Sequence, residues 1–251
     1  MNKKIHLLIL FLNILNTYAK IIEIKNFNEI QNYCKPEQNT LVVLDIDNTI
    51  VESNSPDSRG GDQWFYSALQ HFENQGLNNT EAYHRVIPIY TDLNKTHGVK
   101  LVENNTSSII QELQKFCTVI ALTARSKRII STTINQLKEL GVDFSQEKIA
   151  QKKINFEKFP YPTFFKGGII FCSDNNKGKI LKEFLKQTNL NPKKIIFVDD
   201  KEKCLTRVES ALKNKHIKFT GLRYGFLDEK VKEFRFSSEM LSIHQGIQKN
   251  I

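Results

Sequence analysis

Two kinds of run alternate along the chain. Five short stretches are almost wholly apolar and rich in β-branched and aromatic residues: "LVVLDI" (41–46), "TVIALT" (118–123), "GGIIFC" (167–172), "KIIFVD" (194–199) and "IKFTGL" (217–222). A strand with one face in water alternates apolar and polar positions. Uninterrupted apolar strands belong to parallel sheets covered on both faces. Between these runs the apolar positions recur at helical spacing, over 107–116, 126–140, 178–188 and 202–215. Gly141 supplies a stop after the second of these helices. The alternation predicts an α/β fold, a Rossmann-like doubly wound parallel sheet.

Residues 52–105 interrupt the alternation. They are polar, with aromatics gathered in "GGDQWFYSALQHF", and predict a small, mainly helical insertion after the first strand. The chain then divides into a core of 20–51 and 106–251 and an insertion of 52–105. Trp64, Phe65 and Phe72 suit either a local core in the insertion or a lid, with Asp62, Trp64 and Tyr66 as candidate lid residues. Residues 151–166 read as an irregular loop, and the tail from 226 as one or two terminal helices.

The first nineteen residues have a different character. Lys3 and Lys4 precede the apolar "IHLLILFLNILN", and "TYA" follows. This is the pattern of a secretory signal peptide, with cleavage after Ala19 and a periplasmic or secreted product. The apolar run is shorter than the roughly 20 residues a membrane span needs. No other stretch is long and apolar enough to span.

Composition adds little. The chain has 251 residues and a formal charge of +9, which becomes +7 without Lys3 and Lys4. The lysines are scattered and no zinc-finger or aromatic-basic motif is present, so nucleic acid is not an expected partner. The four cysteines, Cys34, Cys117, Cys172 and Cys204, fit no metal-binding spacing; they read either as mostly buried free thiols or, in an exported protein, as disulfide pairs.

The candidate chemistry starts at "LVVLDIDNTIV" (41–51), where an apolar run ends in Asp45 and Asp47. The pair does not open a calcium-binding loop: an EF-hand needs Gly at its sixth position and Glu at its twelfth. Here those positions are Ile50 and Pro56. In open α/β sheets ligands bind beyond the carboxyl ends of the strands. Other predicted strand ends supply Thr123 and Arg125, then Lys177 and Lys179 in "SDNNKGK", then Asp199 and Asp200. Two carboxylate pairs, a hydroxyl and a lysine suit magnesium-assisted phosphoryl transfer.

"DIDNT", "LTAR", "NKGKIL" and "VDD", in that order, resemble the four motifs of the haloacid dehalogenase-like hydrolase superfamily. The resemblance covers roughly 36–50 and 105–225, and more narrowly is similar to an uncharacterised bacterial family of secreted members. It implies that Asp45 is the nucleophile and Asp47 the general acid and base, whose backbone carbonyl also binds Mg²⁺. Dehalogenases of the superfamily lack the second aspartate, because a halide leaves without a proton. Thr123 would then bind a phosphoryl oxygen, Lys177, with Lys179 as the runner-up, would neutralise the nucleophile and phosphate, and Asp199 directly, with Asp200 directly or through water, would join Asp45 at the metal. Thr49 would stabilise the turn, and Arg125 would touch substrate or pair with an acid. The expected activity is Mg²⁺-dependent hydrolysis of a small phosphomonoester. A non-catalytic secreted binding protein and a phosphotransferase with another acceptor remain the alternatives.

Overall fold

The computed structural model describes residues 20–36, 39–213 and 215–242. The signal-peptide reading of 1–19 lies outside these residues. Among the described residues, ten strands and seven α-helices follow in chain order: β1 (Lys20–Ile24), β2 (Thr40–Leu44), β3 (Val51–Ser53), α1 (Asp62–Asn74), α2 (Asn79–Thr96), β4 (Val99–Leu101), α3 (Thr106–Gln114), β5 (Thr118–Thr123), α4 (Ile130–Glu139), β6 (Ile154–Asn155), β7 (Phe164–Lys166), β8 (Ile169–Phe171), α5 (Lys177–Thr188), β9 (Lys194–Asp199), α6 (Glu202–Leu212), β10 (Lys218–Tyr224) and α7 (Asp228–Glu233).

The main sheet has the order β1-β10-β9-β2-β5-β8-β7-β6. Every pairing from β1 to β8 is parallel. The apolar strands read from the sequence are β2, β5, β8, β9 and β10, and their alternate residues serve two different cores. Val42, Leu44, Val119, Ala121, Ile196 and Val198 face a core completed by Ile109, Ile110 and Leu113 of α3 and Leu137 of α4. Leu41, Val43, Ile120, Leu122, Ile195 and Phe197 face a second, completed by α5 and α6 residues such as Phe184 and Leu205. Both faces being covered is the physical reason these strands carry no polar alternation.

Two parts of the sequence reading change. The stretch 151–166 is not simply irregular: β6 and β7 lie within it and extend the sheet, β7 antiparallel to β8 and β6 antiparallel to β7. They are two and three residues long, too short for a period to show. The sheet is therefore mostly parallel rather than wholly so. A second unread strand, β1, closes the other edge beside β10.

Residues 52–105 do contain two long helices. α2 starts with a capping box in which Asn78 and Glu81 satisfy each other's backbone N–H groups. β3 and β4 pair antiparallel, Val51 opposite Leu101 and Ser53 opposite Val99, and bring the two ends of the segment together. Trp64 is fully buried with Ala68, Val86, Tyr90 and Leu93, and its indole N–H donates to the Met240 carbonyl at 3.2 Å. It is thus a core residue of this segment, and the chain after α7 packs on it. Among the described residues, no helix is long and apolar enough to cross a membrane.

Candidate active site

β2 is flanked by β5 on one side and β9 on the other. The chain leaves β2 towards β5 and β8 and returns on the far side as β9, so the strand order reverses between β2 and β9. Side chains just past these strands face the crevice where such folds bind ligands. The Asp45 amide donates to the Val198 carbonyl at 2.9 Å, which ties the two strand ends together. The turn beyond Asp45 is held by backbone bonds from Ile50 and Val51 to the Ile46 carbonyl, at 2.9 and 3.0 Å. Asn48 adopts φ 58° there, a left-handed conformation that asparagine tolerates better than most residues. The Thr49 hydroxyl, read from the sequence as a brace for this turn, is buried with no hydrogen-bond partner among the described residues.

Lys177 opens α5 and reaches across to both strand ends. Its Nζ lies 2.8 Å from Asp45 Oδ1 and 2.7 Å from Asp199 Oδ2, and all three side chains are buried. Burial works against a charged lysine, yet the Asp199 and Asp45 charges hold it well above the ordinary lysine value. Lys179 is exposed, and its amide serves only the Asn176 cap at 3.1 Å. Of the two lysines, Lys177 is the one that contacts these carboxylates. Gly178, between them, lets α5 approach α6 closely: a Cβ there would stand 2.1 Å from the Arg207 carbonyl oxygen.

Carboxylate oxygens of Asp45, Asp199 and Asp200 all lie within 4.8 Å of one another, a group that could hold a metal ion. Burial and the Asp199 charge push the Asp45 carboxyl up to about 7 despite Lys177. Burial, then Asp199, drives Asp200 well above the usual carboxylate range. Lys177 touches two of these three crowded carboxylates, and Lys201, whose charge acts to lower the third, is itself paired with Asp62. The excess negative charge is what a hard divalent cation with oxygen ligands relieves, so the donor set fits one. Asp199 keeps its second oxygen for the Lys201 amide at 2.8 Å, and Asp200 accepts from Asn48 Nδ2 at 3.4 Å.

Asp47 points elsewhere. Its carboxylate accepts from Arg125, with Nη2 at 2.8 Å and Nε at 3.0 Å. Arg125 is buried and anchored at its other end, Nη1 donating to Thr133 Oγ1 and Gln136 Oε1, both at 3.1 Å. Gln136 Nε2 in turn donates to the Asn94 carbonyl of α2 at 2.6 Å. The structure thus pairs Arg125 with an acid, one of the two roles its position allowed. Thr123, fully buried at the end of β5, accepts the Arg125 amide at 3.1 Å.

Sequence reasoning missed Lys201, Gln136 and Asn94. Lys201 pairs with Asp62 of α1 at 2.6 Å and sits over the Tyr66 ring at 4.3 Å. Its place directly after "VDD" was the available signal. Gln136 had none, because it lies inside an ordinary amphipathic helix. A cavity of about 370 Å³ opens beside Asp47 and Arg125 and runs between them and the α1 and α2 side chains Phe65, Tyr66, Tyr83 and Tyr90.

Residues 23–249 match the family described as "Protein of unknown function (DUF2608)", and the chain belongs to that family. A Chlamydia pneumoniae relative bearing the name "Putative outer membrane protein" is 26% identical over 208 residues, 82% of this chain and 77% of its own. A Rickettsia prowazekii protein described as uncharacterized is 26% identical over 197 residues, 75% of this chain and 70% of its own. Among solved structures, a haloacid dehalogenase-like family hydrolase from Streptococcus pneumoniae aligns with a TM-score of 0.42 at 14% identity, covering 72% of this chain and 93% of that one.

Proposed function

We propose that this family member is a phosphatase that hydrolyses a phosphomonoester through an aspartyl-phosphate, on a haloacid dehalogenase-like core (20–51 and 106–251) with residues 52–105 as a cap. The observation that carries this reading is Lys177, fixed between Asp45 and Asp199 at 2.8 and 2.7 Å at the point where the strand order reverses. A buried ammonium between two carboxylates can serve an incoming phosphoryl dianion without moving.

In this reading Asp45 attacks phosphorus as the P–O bond to the alcohol breaks. Asp47 gives the leaving oxygen its proton and then takes one from the water that splits the acyl phosphate. Arg125, bound to Asp47 through Nε and Nη2, would pass those two N–H groups to a phosphoryl oxygen as substrate enters and so free Asp47 to carry the proton. Its Thr133 and Gln136 anchors keep it in place. The Thr123 hydroxyl and Lys177 bind phosphoryl oxygens. Asp45, Asp199 and Asp200, with the Asp47 backbone carbonyl, would hold Mg²⁺, which when bound offsets the charge of the carboxylates and the phosphate.

Export fits the basic-apolar-small pattern of residues 1–19 and the outer-membrane description of the Chlamydia relative. The test is release of inorganic phosphate from a phosphomonoester panel by the protein beginning at Lys20, with and without Mg²⁺, beside Asp45→Asn. Loss of activity in the variant and without Mg²⁺ is expected. Activity that survives Asp45→Asn would overturn the nucleophile assignment. Sequencing the N-terminus of the exported product checks the cleavage site.

A further inference from the structure

The cavity beside Asp47 and Arg125 says which alcohol the phosphate is attached to. Its inner wall is aromatic. Phe65 packs edge-on against Tyr90 and Tyr83, with ring centroids 5.0 and 6.3 Å apart. Tyr66 and Tyr161, both exposed, stand at the mouth, one from α1 and one from the loop between β6 and β7. A volume of about 370 Å³ has room for a substituted ring.

Carboxylates outnumber cations among the lining residues, although Lys201 sits over Tyr66 and the Arg128 charge reaches Tyr83. Asp62, Glu73 and Asp174 line the cavity together with Asp47, whereas Arg125 is the one Lys or Arg among the lining residues. Arg125 is held by Asp47 and Asp62 by Lys201. That leaves Glu73 and Asp174 with no ion pair among the described residues. Burial raises both the Tyr66 and Tyr83 phenols; the Asp174 charge adds to this, against the stronger opposing charges of Lys201 at Tyr66 and Arg128 at Tyr83. Aromatic faces beside unpaired carboxylates attract cations and repel anions.

Resting on the phosphatase reading, we infer that the substrate is a phosphomonoester of a small alcohol that carries an aromatic ring, neutral or positively charged, and no second anionic group. The phosphoryl group sits at Asp45 and Lys177. The ring lies along Phe65, Tyr83 and Tyr90, and any positive substituent points to Asp174.

The test uses four matched phosphates: benzyl, cyclohexylmethyl, 4-carboxybenzyl and 4-(aminomethyl)benzyl. Benzyl and cyclohexylmethyl are close in size, as are the two para-substituted benzyl groups, so the first pair isolates ring character and the second isolates charge. The corresponding phosphonates, with carbon in place of the bridging oxygen, are titrated by calorimetry. The expected order of kcat/KM and of affinity is aminomethylbenzyl, benzyl, cyclohexylmethyl, carboxybenzyl. Each step is about three- to tenfold, from the worth of an aromatic or cation–π contact. Tyr83→Leu should shrink the benzyl to cyclohexylmethyl ratio, and Asp174→Asn the aminomethyl to carboxy ratio. Ratios within one variant are insensitive to the folded fraction. Turnover of all four phosphates at similar rates would overturn the substrate class and leave the phosphatase reading intact. Ordered phosphonate binding without any turnover would uphold the pocket and remove the phosphatase. Absence of phosphonate binding would overturn the inference.

Discussion

Replacing Lys177 by methionine removes the one ammonium between Asp45 and Asp199 while keeping most of the side chain's volume. Nζ makes contacts of 2.8 and 2.7 Å, with side chains 6%, 9% and 0% exposed for Lys177, Asp45 and Asp199. Removing one partner of a buried ion pair costs about 3–5 kcal/mol, because the remaining charge is left uncompensated. The loss depends on pH in a definite direction. Asp45 has its carboxyl raised to about 7 in the folded protein, above its unfolded value. Below about pH 7 it is therefore protonated even with Lys177 present, and Lys177 then neutralises Asp199 alone. Above pH 7 the wild-type Asp45 ionises against Lys177, whereas in the variant it must keep its proton or stand unpaired. The difference in stability should then widen by about 1.4 kcal/mol per pH unit just above pH 7, the energy of one pKa unit. The assay is urea unfolding of both proteins, free of divalent ions, at about pH 6 and about pH 8. A loss of about 3 kcal/mol or more at the higher pH, and a smaller one at the lower, is expected. A loss below about 1 kcal/mol, equal at both pH values, would refute the buried-pair reasoning.

Gly178→Ala would place a Cβ 2.1 Å from the Arg207 carbonyl oxygen; overpacking of about 2 kcal/mol or more should outweigh the roughly 1 kcal/mol helix preference for alanine, read by urea unfolding. Gln136→Leu leaves an Arg125 N–H and the Asn94 carbonyl short of a buried partner; about 2–4 kcal/mol of stability should be lost, and equal midpoints in thermal melts would refute it. Asp57 is held at about 2 by Arg59 and Ser55 hydrogen bonds, which outweigh the effect of burial. Its stabilisation is present above about pH 4 and lost as pH falls through about 2. With the side chain 33% exposed, Asp57→Asn should cost about 1 kcal/mol near neutrality and nothing near pH 2, as shown by melts across that range.

Much of the fold was written locally. β5 and β9 run over the same residues as their apolar runs, because burial on both faces demands hydrophobicity at every position. β6, β7 and β1 were not legible for the converse reason. At a sheet edge, or over two or three residues, pairing is fixed by the neighbouring strand rather than by a pattern within the segment. Trp64 shows the same limit within residues 52–105: an aromatic cluster in sequence cannot say which ring is core and which meets a cavity. The structure buries Trp64 and sets Tyr66 at a cavity mouth.

The site divides in the same way. By itself the sequence determined which residue types stand at the strand ends, because the end of a strand is a local event. It supplied Asp45, Asp47, Thr123, Lys177, Asp199 and Asp200 as candidates. Only the tertiary structure decided who touches whom. Lys177 rather than Lys179 reaches the carboxylates, since one turn of α5 presents one lysine to the core and the other to water. Arg125 faces Asp47, and Gln136 links that pair to α2. These contacts join residues far apart in the chain, and distance in space is a property of the packed sheet and helices that no short stretch of sequence carries.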